Sequence, residues 1–193
     1  NSYDFFFLSC IHTKQFQNAY ETLDFILNHT RFSSRPDNSI EKWKLYEAYC
    51  AYLGEMGEIK VPDQKKFKVA KFINEVPLYT SEKRTRNIPI LIIQTLFLFL
   101  HRRYDDAIDR ADSLNLYCSR YLKKDASFRS NCFIKMLIKI IEADFHPVAA
   151  RRKAAGLHKK LNTVPLEVAK QIYEIEIIPY EDLWELAIES LDN

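Results

Sequence analysis

The sequence predicts an all-α fold of about ten helices paired into antiparallel hairpins, and three observations carry that expectation. Apolar residues recur at three- and four-residue intervals along most of the chain, no segment sustains strand-like alternation, and breaks fall at proline, glycine and capping residues. Only three glycines occur in 193 residues, and tight sheet turns draw on glycine, so the composition leans towards long helices with few sharp reversals. With 47% apolar residues there is material for a continuous core, and 13 Phe, 11 Tyr and 2 Trp provide rings to fill wide spaces between helices.

The elements follow in order. A first helix spans residues 2–12. Residues 14–29 place Phe16, Ala19, Tyr20, Leu23, Ile26 and Leu27 on one face. Thr30 to Asn38, with Ser33, Ser34 and Pro36, ends that helix, and Asn38 with Glu41 resembles a capping box. Trp43, Tyr46, Cys50 and Leu53 then form a stripe closed by Gly54 and Gly57. Asp63 caps a shorter helix through Phe67, Ala70, Lys71 and Phe72, stopped by Pro77, and residues 78–87 form a basic loop with Lys83, Arg84 and Arg86.

The run Ile88 to Leu100 covers 13 residues, short of the roughly 20 needed to cross a bilayer, and predicts a helix over 88–102 buried on nearly all sides. It meets the helix 104–122 across a turn short enough to force a hairpin. Asp125 caps a helix bearing Phe128, Cys132, Met136, Leu137 and Ile140, which pairs with a basic helix from Pro147 to Leu161. Thr163 and Pro165 start a ninth helix. Pro179 starts a tenth, with Leu183, Trp184, Ala187, Ile188 and Leu191.

Three second helices open with an aromatic followed three residues later by alanine: Phe16 with Ala19, Phe67 with Ala70, and Tyr104 with Ala107. A small residue lets one helix approach its partner while the ring plugs the space above the turn. Together with His101-Arg102-Arg103-Tyr104-Asp105-Asp106-Ala107-Ile108, this pattern resembles the turn and second helix of a tetratricopeptide repeat. The alanine spacings are 51 and 37 residues, against the family's repeat of about 34, and Gln94-Thr95 stands where that repeat has Leu-Gly.

The resemblance implies a right-handed superhelical stack of about five hairpins in one domain over 1–193, with the clearest repeats in 1–122 and weaker helices in 123–193. It also implies a non-catalytic scaffold that binds a protein or peptide. Gln94, His101, Asn131 and Lys135 are expected on the concave side and, together with Arg129, are the candidate partner-binding residues. The repeated Lys and Asn of a tetratricopeptide carboxylate clamp are missing from the best repeat, where Ile92, Leu96 and Phe99 point to an apolar groove.

Charge adds detail. The net charge is +2, but residues 163–193 carry −7 and residues 1–162 therefore +9. An acidic end on a basic body can bind its own neighbours or a second chain. Arg151, Arg152, Lys153, Lys159 and Lys160 form a basic face along one helix, read first as a solvated face, then as a seat for an acidic protein. Nucleic acid is disfavoured there, because a phosphate backbone demands a wider positive field.

Asp105, Asp106 and Asp109 have the D-D-x-x-D spacing of a magnesium site, but first-turn acids more simply complement the helix dipole. The histidines His12, His29, His101, His146 and His158 are isolated, and no nucleophile motif or phosphate-cradling loop occurs, so neither catalysis nor a metal or other cofactor is expected.

Cys10, Cys50, Cys118 and Cys132 lie in apolar helical patterns as reduced core residues, which favours a cytoplasmic setting. The chain starts at Asn1 and has no signal peptide, so it is read as a processed product or part of a longer protein. Two further readings stand beside the scaffold: the ligand- or peptide-sensing module of a larger regulator, and a helical nucleic-acid binder using the 151–160 face. Self-association is left open.

Overall fold

A computed structural model describes residues 2–62, 67–75, 87–122, 128–166 and 176–192, the side chains of 73–75 excepted. The described residues are all-helical, without strands, and form nine α-helices: α1 Ser2–His12, α2 Phe16–Leu27, α3 Asp37–Glu55, α4 Val69–Glu75, α5 Asn87–Leu100, α6 Tyr104–Tyr121, α7 Phe128–Ile141, α8 Pro147–Thr163 and α9 Tyr180–Glu189. Among them no helix is long and apolar enough to cross a membrane. The chain forms two compact units, Asn1–Pro77 and Leu78–Asn193.

In unit 1, α2 packs against both α1 and α3. Phe7 of α1 stacks on Tyr46 of α3 with centroids 4.4 Å apart and meets Trp43 edge-on at 5.8 Å. These rings are fully buried with Ile11, Leu23 and Ile26, so the aromatic side chains here do fill the space between helices. Lys42 donates to Asp4 across the same pair of helices at 2.7 Å. The outer face of the first hairpin is different, because Tyr3, Phe6 and Phe25 are about half exposed and Phe5 is 74% exposed.

In unit 2 each helix packs on the next, and the alternate helices α5, α7 and α9 touch one another. Every residue of α5 from Asn87 to Phe99 is buried. Pro89 sits in the first turn of α5, where its missing N–H breaks no helical bond.

The reversals α1–α2, α5–α6 and α7–α8 share one construction. Lys14, Arg102 and Asp144 adopt left-handed backbone, with φ of 58°, 53° and 49°. Each helix then closes with paired bonds to its last carbonyls, for example Arg103 N to Leu98 O at 2.8 Å and Arg102 N to Phe99 O at 3.0 Å. Gly57, at φ 82°, closes α3 in the same way through Glu58 N to Leu53 O at 2.9 Å. Few glycines therefore do not mean few sharp reversals, because charged residues occupy three of these left-handed sites.

The helix-opening alanines divide in a revealing way. Ala19 and Ala107 are fully buried, four positions into α2 and α6, and Ala150 has the same place in α8. Ala70 does not follow the pattern. The helix begins at Val69, so Phe67 lies ahead of it and Ala70 is exposed, while Val69 takes the buried position.

Two helix starts also differ from expectation. Pro36, in extended conformation, is the N-cap of α3, and its carbonyl accepts from Ser39 N at 2.8 Å. Asn38 thus lies inside the first turn instead of capping it. Thr163 closes α8 by donating its hydroxyl to Lys160 O at 2.7 Å, and Val164 before Pro165 is extended, as the proline ring requires. The C-terminal helix starts at Tyr180 directly after Pro179, as expected. The expected cap residues Asp63 and Asp125, the stop at Pro77, the basic loop with Lys83, Arg84 and Arg86, and residues 167–175 of the expected ninth helix lie outside the described residues.

Candidate functional site

Two helix stripes face each other in unit 1. Tyr20, Leu23, Asp24, Leu27 and Asn28 follow the i, i+3, i+4, i+7, i+8 rule along α2, and Glu47, Cys50, Ala51, Gly54 and Glu55 follow it along α3. The middle of the α3 stripe is small, so the two helices leave a groove of about 630 Å³ between them instead of closing. Val61, Pro62 and Phe67 form its third wall. Gly54 makes that wall possible, since a Cβ there would stand 2.8 Å from Val61 Cγ2.

The groove has an apolar floor and an acidic rim. Leu23 and Cys50 are buried beneath it, and burial pushes the Cys50 thiol far above its ordinary range, so it acts as floor and not as a nucleophile. Glu47 is half-buried and makes no hydrogen bond or ion pair among the described residues. Burial raises its carboxyl above the ordinary 4.5, against the weaker opposing pull of Lys44. Asp24 faces the same groove from α2, and the exposed Glu55 lies two turns further along α3. Volume, apolar floor and a carboxylate without an ion-pair partner among the described residues suit binding, and those residues supply no nucleophile and base pair here.

The residues expected to bind a partner lie in unit 2, and two of them are interior. Gln94 is 3% exposed on α5 and accepts from Arg110 Nη1 at 2.8 Å. Arg129 is 9% exposed on α7. It donates from Nε and Nη2 to both Glu176 oxygens at 2.6 and 3.0 Å, to Glu181 at 2.7 Å, and from Nη1 to the carbonyls of Leu161 and Val164 at 3.2 and 2.5 Å. Both were expected to face a partner, whereas Arg110 of α6 engages Gln94, and Glu176, Glu181 and the end of α8 engage Arg129.

Burial alone would lower the Arg129 pKa, but the two carboxylates outweigh it and raise it. Glu176 is the more deeply buried partner and keeps a net upward shift. Asn131 donates to Leu122 O at 2.7 Å and so fastens the end of α6. Lys135, one turn on, is exposed near Cys118 and Cys132, and His101 is exposed after the end of α5, its ring 5.8 Å from Phe97.

The basic face on α8 is partly consumed. Arg151 forms a two-point pair with Glu185 of α9 at 3.0 and 2.6 Å, and Lys153 donates to Glu142 O. Arg152, Lys159 and Lys160 are exposed. The acidic end does bind its own neighbours, through Glu176 and Glu181 on Arg129 and Glu185 on Arg151. Between α8 and α9, Arg151, His158, Lys159, Asn162 and Trp184 border a shallower groove of about 460 Å³.

The carboxylates of Asp105, Asp106 and Asp109 are exposed, and Asp106 accepts from Arg103 at 2.7 Å. Among the described residues no group of His, Cys, Asp and Glu is arranged to hold a metal ion. All four cysteines are buried and free.

The unit 1 groove was not among the sequence-derived sites, although its signal was present. Residues 47, 50, 51, 54 and 55 form one face that is small in the middle and acidic at both ends, a combination that a core stripe does not need. Neither family models, curated proteins nor solved structures show a match to this chain.

Proposed function

We propose that this chain is a non-catalytic interaction scaffold whose α2–α3 groove docks a polypeptide segment. The observation that carries this reading is an open groove of about 630 Å³ with an apolar floor and a half-buried carboxylate that has no ion-pair partner among the described residues. Pockets of ligand-binding size run from about 300 to 1,000 Å³, and a helical core has no need of such a space.

The tetratricopeptide-like, right-handed hairpin stack remains part of this proposal. Its support is the shared turn of α1–α2 and α5–α6, each with a charged left-handed residue, an aromatic at the first helical position and a buried alanine three residues on. A cytoplasmic setting is also proposed, supported by four buried free thiols. A protein partner is favoured over nucleic acid because Glu185 and a backbone carbonyl already engage Arg151 and Lys153, which narrows the free positive field.

Peptide display against the full chain tests the docking role. Selected peptides should bind wild type, lose binding to Ala51→Trp, whose indole fills the groove, and keep binding to Lys159→Ala in unit 2. Selection that yields only binders indifferent to Ala51→Trp would reject the groove.

A further inference from the structure

We infer that the α2–α3 groove receives a lysine or arginine side chain of a partner polypeptide, with the cationic head seated on Glu47. This rests on the docking role proposed above and names the chemistry that would fill it.

The acid and the apolar floor make a joint demand. Leu23 and Leu27 on one side and Cys50 and Ala51 on the other offer hydrocarbon, while Glu47 offers a charge with no hydrogen-bonding or ion-pairing group in the described residues. Lysine and arginine are the side chains that combine a long methylene stem with a cationic end, so one group can cover the floor and reach the carboxylate. An aliphatic side chain would cover the floor and bury Glu47 further without a partner, at the cost of a desolvated charge. An acidic side chain would add repulsion from Glu47.

Length argues for a polypeptide over a free amine. The stripes run from Tyr20 to Asn28 and from Glu47 to Glu55, about 12 Å of helix at 1.5 Å per residue. An extended segment advances about 3.3 Å per residue, so roughly three or four residues lie along the groove. Tyr20 and Phe67 at its border provide rings against which neighbouring side chains pack.

Four N-acetylated, C-amidated heptapeptide libraries test this, with lysine, arginine, norleucine or glutamate fixed at the centre and random apolar flanks. Binding to the full chain is read by fluorescence polarisation, with 1,5-diaminopentane as a free amine control. The lysine and arginine libraries should bind roughly tenfold or more tightly than norleucine, the scale of one hydrogen bond to a charged group. Glu47→Gln should reduce that preference to near unity, and Ala51→Trp should abolish binding of all four libraries.

Equal binding of lysine and norleucine libraries, still lost in Ala51→Trp, would overturn the cationic occupant and leave the docking role standing. A lysine preference unchanged in Glu47→Gln would remove Glu47 from the site. Diaminopentane binding as tightly as the lysine library would exclude a polypeptide as the required occupant. No binding by any library at millimolar concentration would overturn both readings. A folding artefact is guarded against by the thermal unfolding of Glu47→Gln, which should be no lower than that of wild type.

Discussion

Arg129 of α7 and Glu176, which follows α8 in the chain, are joined at two points, Nε to Oε1 at 2.6 Å and Nη2 to Oε2 at 3.0 Å. The same guanidinium holds the carbonyls of Leu161 and Val164 at the end of α8, and Glu176 also accepts from Tyr180 N at 3.2 Å at the start of α9. One buried cation thus fastens the ends of three helices. Removing it strands a buried carboxylate and frees two carbonyls. Arg129→Met should therefore cost about 3–5 kcal/mol of unfolding free energy in urea titrations. The double variant Arg129→Met with Glu176→Leu should recover part of that loss, because neither charge is then left alone.

A second expectation concerns the alanines that let helices approach. Ala19 and Ala107 are fully buried, and Ala150 matches them, so a larger side chain must push helices apart. Ala19→Leu, Ala107→Leu and Ala150→Leu should each destabilise by about 1–3 kcal/mol, as overpacking does. Ala70→Leu should stay within about 0.5 kcal/mol of wild type, since Ala70 is exposed. Equal effects at Ala70 and Ala107 in denaturant titrations would show that the buried and exposed alanines do not differ in packing.

These alanines also show how far the sequence reached. Helical periodicity and the helix-starting prolines at 147 and 179 are local signals, and the elements they predict lie close to those observed. Phe67 and Ala70 carried the same local cue as Tyr104 and Ala107, yet the start of a helix decides which residue faces inward, and two residues of shift expose Ala70. The interior place of Arg129 was not legible, because it depends on Glu176 and Glu181, which lie 47 and 52 residues further along the chain, and that of Gln94 depends on Arg110 of the next helix. A basic residue on a helix gives no sign that Glu176 will enclose it. The groove was half-legible: its two stripes are periodic, but the wall that Val61, Pro62 and Phe67 add to it has no such signal.

Acid should loosen unit 2 through its carboxylates. The Arg151 hydrogen bond holds Glu185 below its ordinary 4.5, against a smaller opposing effect of burial. Burial would raise Glu181, but Arg129 outweighs it and the net shift is also downward. A lowered folded value means the stabilisation is present above about pH 4.5 and is lost as pH falls through the folded value. The Arg151 pair is about half exposed on both sides, so its share is screened and small. Arg151→Gln should flatten the fall in stability below pH 4.5 without removing it, because Glu181 remains. A variant curve parallel to that of wild type in acid would mean that the Glu185 pair contributes nothing to the linkage.

Glu47 should behave with the opposite sign. Its folded value lies above 4.5 because burial disfavours the charged form and outweighs the opposing pull of Lys44. The folded state then holds its proton more tightly than the unfolded chain, so unit 1 loses stability as pH rises from about 4.5 through that raised value. The penalty is therefore greater at neutral pH than in acid. Glu47→Gln keeps the shape and removes the charge, so thermal unfolding at pH 7 should shift upward, and the two proteins should converge as pH falls towards 4. A stabilised variant that has lost its preference for cationic peptides would show that stability is given up at this position for binding. A variant no more stable than wild type at pH 7 would instead mean that solvent or a neighbouring cation already satisfies the carboxylate, and the groove would then lack the unmet charge that selects its occupant.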